Sequence, residues 1–568
     1  MTNVLFTDID VKLIEENMTR LQAEADKIRC LTLDSNIDNQ KKIVKEIINY
    51  IIKNKRKVYG GYALNELLIS LDKKLYIYEP DSINDIDFYS PDPINDIINL
   101  ADILHKLNVG DVRVVEGLHN ETYKLFVDDK NFCDVSYSPP IIYNKMPFKM
   151  NDTGLILIHP HFMWIDYLRM ITDPINSWFR IEKSIKRFAI LQNNFPFPKN
   201  MNHIQTSKAP NEVDISLRTI FEFIDGKETL IQIGTYAYNY LLHEAHSYSQ
   251  MVGGKKKKKN INTNVNINKS RTSNEKLKYI DILHYEMISI DYKKDASELI
   301  EKLKKQFPDE LNTISCVEHY PFFQFTGFHV NIYCNDYLIA TVYDNHHKCY
   351  PFKIVDTRYF AEDTTKHIKL KGKIKLGTFS VILMYSLVNI QRSRVEEDEN
   401  DKQAYYMLSS QLIHMRNYFL DNSGRNILDD TLFQEMCTDC MGKPISAYRE
   451  KRLRIEQNKK EGRRYTFTYN PEQKVLKRPK LYFPDSTGRP IHNIKNMKLN
   501  ICKNNNDNDN DNDSDSHSDS HSDSHSDSNL DSNSNSDSNS NSNLDSNLDS
   551  NLDSDSDNNV SDNKELSE

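Results

Sequence analysis

Lys57-Val-Tyr-Gly-Gly-Tyr-Ala-Leu-Asn-Glu-Leu-Leu68, then Asn84-Asp-Ile-Asp-Phe-Tyr89, then Asn131-Phe-Cys-Asp-Val-Ser-Tyr137 are the stretches from which the fold of this chain is read. After Gly60 and Gly61, the residues Leu64, Leu67, Leu68 and Leu71 recur at helical spacing, so the glycine pair sits at a strand-to-helix turn. With no Cβ in the way, such a turn lets backbone N–H groups approach a phosphate at the positive end of the helix dipole. Alone, a glycine pair is more often a bare turn without a ligand. Asp85 and Asp87 flank Ile86, and in a strand the period of two turns both carboxylates to one face and Ile86 with Phe88 to the other. Paired carboxylates repel unless a cation or proton lies between them, and a divalent ion with oxygen ligands suits that arrangement. The same alternation on a third strand turns Asp134 and Ser136 outward and Cys133 and Val135 inward. Three carboxylates on neighbouring strands can hold two metal ions about 3.5 to 4 Å apart. The bland alternative is aspartates that end surface strands. The order glycine pair, helix, paired acids and later acid argues against it.

Working outward, 568 residues exceed one ordinary core, and a prior of about 150 residues per domain gives two to four folded units. The formal charge of −9 averages two different objects, because residues 504–568 are almost pure Asn, Asp and Ser and carry eighteen acids against one lysine, a net −17. Removing that tail from the total leaves +8 on residues 1–503, the part rich enough in Ile, Leu, Phe and Tyr to bury a core. A basic body suits a partner rich in phosphate. Eight cysteines without regular spacing read as reduced thiols in a reducing compartment, not as a disulfide scaffold. The N-terminal Met-Thr-Asn-Val-Leu-Phe-Thr-Asp stretch has no basic segment followed by an apolar one, so no signal peptide is expected. No membrane span is expected either: the best apolar run, Gly377 to Ile390, is shorter than the roughly 20 residues a span needs.

The expected fold class is α+β. Residues 1–55 form a helical region, with Ile43, Val44, Ile47, Ile48 and Ile51 on one stripe. Residues 56–200 form a compact α/β unit with following helices. Its strands are Val112 to Val115, Tyr123 to Val127 and Phe132 to Tyr137, the last two joined by an Asp-Asp-Lys-Asn turn. Trp164, Tyr167, Leu168 and Ile171 mark a helix that breaks at Asp173-Pro174. Residues 201–440 form a second α/β lobe with strands at Phe322 to Tyr333 and Tyr337 to Tyr343, a helix at Gly377 to Ile390, and an exposed Lys/Asn-rich loop at 251–273. This lobe shows no paired acids after a glycine pair, and a degenerate repeat of the first lobe is not legible in it. Residues 441–503 are a basic extension with little periodicity, and residues 504–568 a disordered Asn/Asp/Ser tail.

With Gly60-Gly61, Asp85-x-Asp87 and Asp134 in that order, the chain resembles nucleotidyltransferases of the DNA polymerase β type. Within them it is similar to the poly(A) polymerase catalytic subunits of large nucleocytoplasmic DNA viruses, mimivirus-like and more distantly poxvirus-like. The narrower likeness rests on the long interval between the glycine pair and Asp85, the stretch Leu168-Arg-Met-Ile-Thr-Asp-Pro-Ile-Asn-Ser-Trp-Phe-Arg-Ile-Glu-Lys183, and the large second lobe; it covers roughly residues 1 to 500. Many superfamily members carry Gly-Ser where this chain has Gly60-Gly61, which removes a side-chain hydroxyl contact to phosphate. The resemblance implies a nucleotidyltransferase domain that adds AMP from ATP to RNA 3′ ends without a template, making poly(A) tails on viral mRNA. It implies that Asp85, Asp87 and Asp134 bind two Mg²⁺ (or Mn²⁺) ions, with Asp134 nearest the attacking 3′-oxygen, and that Gly60 and Gly61 cradle the triphosphate. It further implies a homodimer, or a viral processivity or cap-methyltransferase subunit as partner, and residence in the virion and the host cytoplasm at the viral factory.

Independently of the family, Arg169, Arg180, Lys183 and Arg187 offer cations for phosphate, as phosphoryl transfer requires. Arg449, Lys451, Arg452, Arg454, Arg463, Arg464 and Lys477 to Lys480 offer charge for an RNA groove. Solvated helix faces are the plain reading of the same residues. His243-Glu-Ala-His246 is not a zinc motif, because its histidines are three apart and not four. Cys437-Thr-Asp-Cys440 is a lone pair, read as two reduced cysteines near a helix end. His517, His521 and His525 read as low-complexity drift, and Lys255 to Lys259 as a solvated charge run. The competing functions are transfer to another acceptor (tRNA, a small molecule or a protein), an inactive RNA-binding scaffold, and a nucleotide-sugar glycosyltransferase. The last leaves Gly60-Gly61 and Asp134 without a role.

Overall fold

The computed structural model describes residues 6–33, 37–79, 82–200, 202, 209–252, 277–308, 313–360, 368–460 and 467–473. The acidic tail at 504–568 with its three histidines, Lys255 to Lys259 and most of the 251–273 loop, Arg463, Arg464 and Lys477 to Lys480 lie outside the described residues.

Helix α1 (Asp8–Leu33) belongs to a different unit from the compact body Asp38–Lys503. Thr7 and Asp10 cap it reciprocally, Asp10 Oδ2 accepting from the Thr7 amide at 2.8 Å and Thr7 Oγ1 from the Asp10 amide at 3.4 Å. In the body, α2 (Ile37–Lys53) buries Ile43, Ile47 and Ile51 completely on the expected stripe. Then come β1 (Lys57–Tyr59), α3 (Gly60–Leu71), β2 (Ile86–Ser90), α4 (Pro93–Lys106), β3 (Val112–Glu116), β4 (Thr122–Val127), β5 (Lys130–Tyr137), α5 (Pro140–Lys145), β6 (Phe148–Met150) and β7 (Ile156–Ile158). Helices α6 (Pro160–Ile171), α7 (Pro174–Ser177) and α8 (Ile181–Asn194) follow, with a 3-10 turn at Trp178–Arg180 between the last two. As the Asp-Pro pair predicts, α6 stops before Asp173, whose carboxylate caps α7 through the Asn176 amide.

The second half builds α9 (Asn211–Ile224), β8 (Leu230–Ile233), α10 (Gly234–Val252), β9 (Tyr285–Ser289), α11 (Tyr292–Lys304), β10 (Ile314–His319), β11 (His329–Cys334), β12 (Tyr337–Asp344), β13 (Cys349–Tyr359) and β14 (Ile368–Gly377). It ends with α12 (Phe379–Glu396), α13 (Glu399–Ser423), β15 (Cys440–Gly442), α14 (Ala447–Lys460) and β16 (Thr468–Tyr469). Two mixed sheets result, ordered β16-β3-β4-β5-β2-β1-β7-β6 and β10-β11-β12-β9-β8-β14-β13-β15. The class is therefore α+β.

Apart from β15 and β16 the two sheets have the same strand order and the same directions. β1 and β8 pair antiparallel with β2 and β9, and those pair parallel with β5 and β12. Register then equates positions: Tyr59 faces Asp87 as Ile233 faces Glu286, and Asp87 faces Asp134 as Glu286 faces Thr341. The loops after β2 and β9 agree as well. Ser90 Oγ donates to Asp96 and accepts the Asp92 amide at 2.9 Å; Ser289 Oγ donates to Asp295 at 2.6 Å and accepts the Asp291 amide at 3.0 Å. The second lobe is a topological repeat of the first in which His284, Glu286 and Thr341 stand where Asp85, Asp87 and Asp134 stand. His284 Nε2 lies 2.8 Å from Thr341 Oγ1, and Glu286 Oε1 accepts from Asn389 Nδ2 at 2.8 Å and Tyr405 Oη at 3.2 Å, so this set is closed on itself.

Burial, opposed by Tyr405, Arg392 and Asn389, pushes the Glu286 carboxyl up to about 7 from 4.5. A carboxyl that holds its proton more tightly folded than unfolded stabilises the fold most below pH 4.5, and that contribution erodes as pH rises to about 7. Glu286→Gln keeps an acceptor for Asn389 and Tyr405 and cannot ionise. The variant should show a smaller fall in melting temperature between pH 5 and 8 than the parent; an identical fall would sink this assignment.

Several sequence expectations change. The hairpin after β4 turns at Asp128 and Asp129 alone, both at positive φ (47° and 66°), a primed turn with Lys130 already in β5. The strand expected from Phe322 starts only at His329, because Phe323 at φ 53° and its neighbours form a turn. Gly377 ends β14, so the apolar helix begins at Phe379. Ser136 shares the face of Asp134 but is buried, hydrogen-bonded to Tyr59 Oη at 2.8 Å and Thr122 Oγ1 at 2.9 Å. The basic extension, read as lacking periodicity, contains α14 and returns to the first sheet through β16, where Tyr469 faces Val114. Cys440 is not reduced: it is disulfide-bonded to Cys349, with Cα atoms 5.3 Å apart, because β15 runs antiparallel to the start of β13.

Candidate active site

Strand β1 delivers the chain to Gly60 at φ +72°, a left-handed conformation in which a Cβ would lie 2.5 Å from Asp87 Oδ2. Glycine is required there on both counts. At Gly61 a Cβ would lie 2.1 Å from the Tyr78 hydroxyl and 2.9 Å from Arg187 Nη1. The start of α3 receives no side-chain cap from Tyr59, so no cap there satisfies the first backbone donors of the helix, which lie beside an arginine and a phenol. Arg187 is fixed by Tyr78, whose hydroxyl is 3.3 Å from Nη2 and whose ring centroid is 5.4 Å from the guanidinium.

Asp87 and Asp134 are register partners on the parallel pair β2 and β5, and Asp85 precedes β2 by one residue. Ile86 and Phe88 are fully buried beneath them, as the alternation predicts. The Cys133 thiol, raised first by burial, is raised further by the negative charge of Asp134, Asp87 and Asp85. Asp134 Oδ1 accepts from Asn131 Nδ2 at 2.9 Å, and its Oδ2 pairs with Lys124 Nζ at 3.0 Å. Burial works against the charge on Lys124, but Asp134 with Asp87 and Asp85 outweighs it and lifts its pKa above the ordinary lysine value. Among the described residues no three His, Cys, Asp or Glu side chains are already drawn into a metal cage. The donor set still fits a hard cation: oxygen only, three charges, and one ammonium supplying the positive charge that the cluster demands.

The four cations read as phosphate ligands have separate fates. Arg187 stands at the glycine turn. Arg169 holds the second lobe, donating from Nη1 to Gln324 O at 3.0 Å and Oε1 at 3.2 Å. Arg180 packs its guanidinium 5.3 Å from the Phe179 ring, and Lys183 sits half-buried in the first turn of α8. Tyr78, Lys124 and Lys348 were not singled out from the sequence. Lys348 comes from the second lobe, its Nζ shielded and without a hydrogen-bond partner; burial, then Arg169, push its pKa down to about 7 against the pull of Asp173 and Asp166. Of the basic extension, Arg454 is used in packing, reaching Glu116 at 3.5 Å and Leu118 O at 3.4 Å, whereas Arg449 and Arg452 are exposed. His243 binds Tyr279 Oη at 3.2 Å, an ordinary packed histidine.

Residues 45–177 match the family model described as the poly(A) polymerase catalytic subunit, and residues 225–501 match the model for the C-terminal region of the APMV poly(A) polymerase catalytic subunit. The chain is 29% identical over 521 residues to a protein of Acanthamoeba polyphaga mimivirus named as a poly(A) polymerase catalytic subunit, covering 88% of this chain and 85% of that one. A protein of the same name from African swine fever virus is 27% identical over 204 residues, 35% of this chain and 40% of its own. Among solved structures, the crystal structure of the Megavirus polyadenylate synthase superposes with a TM-score of 0.71 at 26% identity, over 88% of this chain and 95% of that chain.

Proposed function

Because the chain belongs to the poly(A) polymerase catalytic subunit family of large DNA viruses, we propose that its first lobe is a nucleotidyltransferase domain that adds AMP from ATP to RNA 3′ ends without a template. The observation that carries the reading is the set Asp85, Asp87 and Asp134 beside the Gly60-Gly61 turn with Arg187 over it. Asp85, Asp87 and Asp134 would hold the divalent ions, Mg²⁺ or Mn²⁺, which when bound activate the 3′-hydroxyl and neutralise the leaving pyrophosphate. The chain's own part is positional. Backbone donors at Gly60 and Gly61 and the Arg187 guanidinium bind the triphosphate and hold its α-phosphorus against the acids. Lys124 adds a mobile positive charge that can pass from Asp134 to phosphate oxygens as the carboxylates take up the metal ions. Arg169, through Gln324, fixes the second lobe against the first. The repeat lobe, with His284 and Thr341 in place of two acids, serves as a scaffold. Self-association or a viral partner subunit would supply processivity on viral mRNA, in the virion and the cytoplasmic factory.

The test is incubation of the purified protein with a short unstructured RNA, Mg²⁺ and one NTP at a time, read on a sequencing gel. A ladder with ATP, much stronger than with GTP, CTP or UTP, is the expected result. Release of nucleoside diphosphate without RNA extension would overturn it.

A further inference from the structure

The chain has only two tryptophans, and they are treated oppositely. Trp164 is buried against His161, Phe188 and Phe197. Trp178 is 73% exposed, beside Phe179 at 52%, in the 3-10 turn between α7 and α8. The two rings stand edge to face with centroids 6.1 Å apart, and Arg180 lies over the Phe179 ring. Large aromatic surface left in water on an anchored turn forgoes the burial that these side chains otherwise drive towards. The turn is anchored: Asp173 caps α7 before it, and α8 packs on α6 after it.

It is also tied to the glycine pair. The turn runs directly into α8, and about two helical turns on the same helix Arg187 places its Nη1 against Gly61. We propose that Trp178 and Phe179, with Arg180 beside them, are the platform on which bases at the 3′ end of the single-stranded RNA acceptor stack before transfer. Aromatic faces accept any base, and neighbouring cations track the backbone, which is the chemistry that sequence-independent single-strand binding uses. A template-free enzyme must hold the last nucleotides without reading their edges, and this turn offers faces and charge on the element that carries Arg187 to the glycine turn. The proposal rests on the adenylyl-transfer reading and names the subsite for the acceptor.

An oligoadenylate without ATP should quench the exposed-tryptophan fluorescence of the full-length protein, and Trp178→Ala should abolish that quench. In extension assays Trp178→Ala should raise the KM for RNA on the order of tenfold, the loss of one stacked base, with the KM for ATP little changed and the far-UV circular dichroism retained. Trp178→Phe should recover most of the RNA affinity. Wild-type RNA affinity in Trp178→Ala, from protein whose parent extends RNA, overturns the platform alone. A change in sedimentation with unaltered RNA affinity also overturns it, making the turn a contact between protein chains. If the parent neither binds nor extends RNA, the platform falls together with the reading beneath it.

Discussion

Asp85→Asn, Asp87→Asn and Asp134→Asn each lower ATP-dependent RNA extension by about a thousandfold or more, while the protein stays folded. Each change removes one charged oxygen donor of a site whose cation supplies several kcal/mol of transition-state stabilisation, and ~4 kcal/mol corresponds to that factor. Stability should separate the three. Neutralising Asp85 or Asp87 removes repulsion from the other acids together with attraction to Lys124, so both variants should melt closer to the parent temperature than Asp134→Asn does in the absence of divalent cations. Asp134→Asn removes the ion pair to Lys124, whose side chain is only 21% exposed, and should melt below the parent. Thermal melts in EDTA beside the gel assay read both quantities. Extension surviving all three substitutions would move the chemistry to another part of the chain.

What was legible in the sequence was the part governed by local periodicity. Ile86, Asp87 and Phe88 alternate within one strand that Asp85 immediately precedes, and Gly60-Gly61 followed by leucines at helical spacing marks a turn that no longer-range contact has to define. Lys124 was hidden by a single irregularity. Counting back from the turn at Asp128 and Asp129 places Lys124 opposite Cys133, but a bulge between Leu125 and Phe126 slides it to Asp134. Tyr78 reaches Gly61 from an irregular segment, which carries no period at all. The Cys349–Cys440 bond spans 91 residues, and β16 has two, so neither leaves a local pattern. The repeat of the first lobe was missed for a different reason: the acids that mark it have changed to His284, Glu286 and Thr341, although Gly234-Thr-Tyr-Ala-Tyr-Asn-Tyr-Leu-Leu242 still matches Gly60-Gly-Tyr-Ala-Leu-Asn-Glu-Leu-Leu68 at six positions, Gly234 standing for Gly60.

That shared glycine yields the second large effect, because the same substitution at equivalent places should have opposite consequences. Gly60→Ala and Gly234→Ala both force alanine into the left-handed region, φ +72° and +64°, at about 1 to 2 kcal/mol each. Both new methyls meet a carboxylate: Asp87 Oδ2 at 2.5 Å in the first lobe, Glu286 Oε2 at 2.0 Å in the second. The two carboxylates differ in burial. Asp87 is half-exposed, so a displaced carboxylate there stays solvated, and Gly60→Ala should lower the melting temperature modestly and extension by about a hundredfold, as expected when a reacting group is displaced by about an ångström. Glu286 is 2% exposed and held by Asn389 and Tyr405, so it cannot yield without breaking buried hydrogen bonds. Gly234→Ala should therefore cost about 3 kcal/mol or more of stability, adding steric displacement to the backbone strain. Assayed well below its melting temperature, it should retain most of its extension activity per folded molecule. Denaturant unfolding of both variants, with kcat measured on the folded fraction, separates the two. Equal loss of activity in Gly234→Ala at full folding would mean that the repeat lobe takes part in the chemistry and does more than support it.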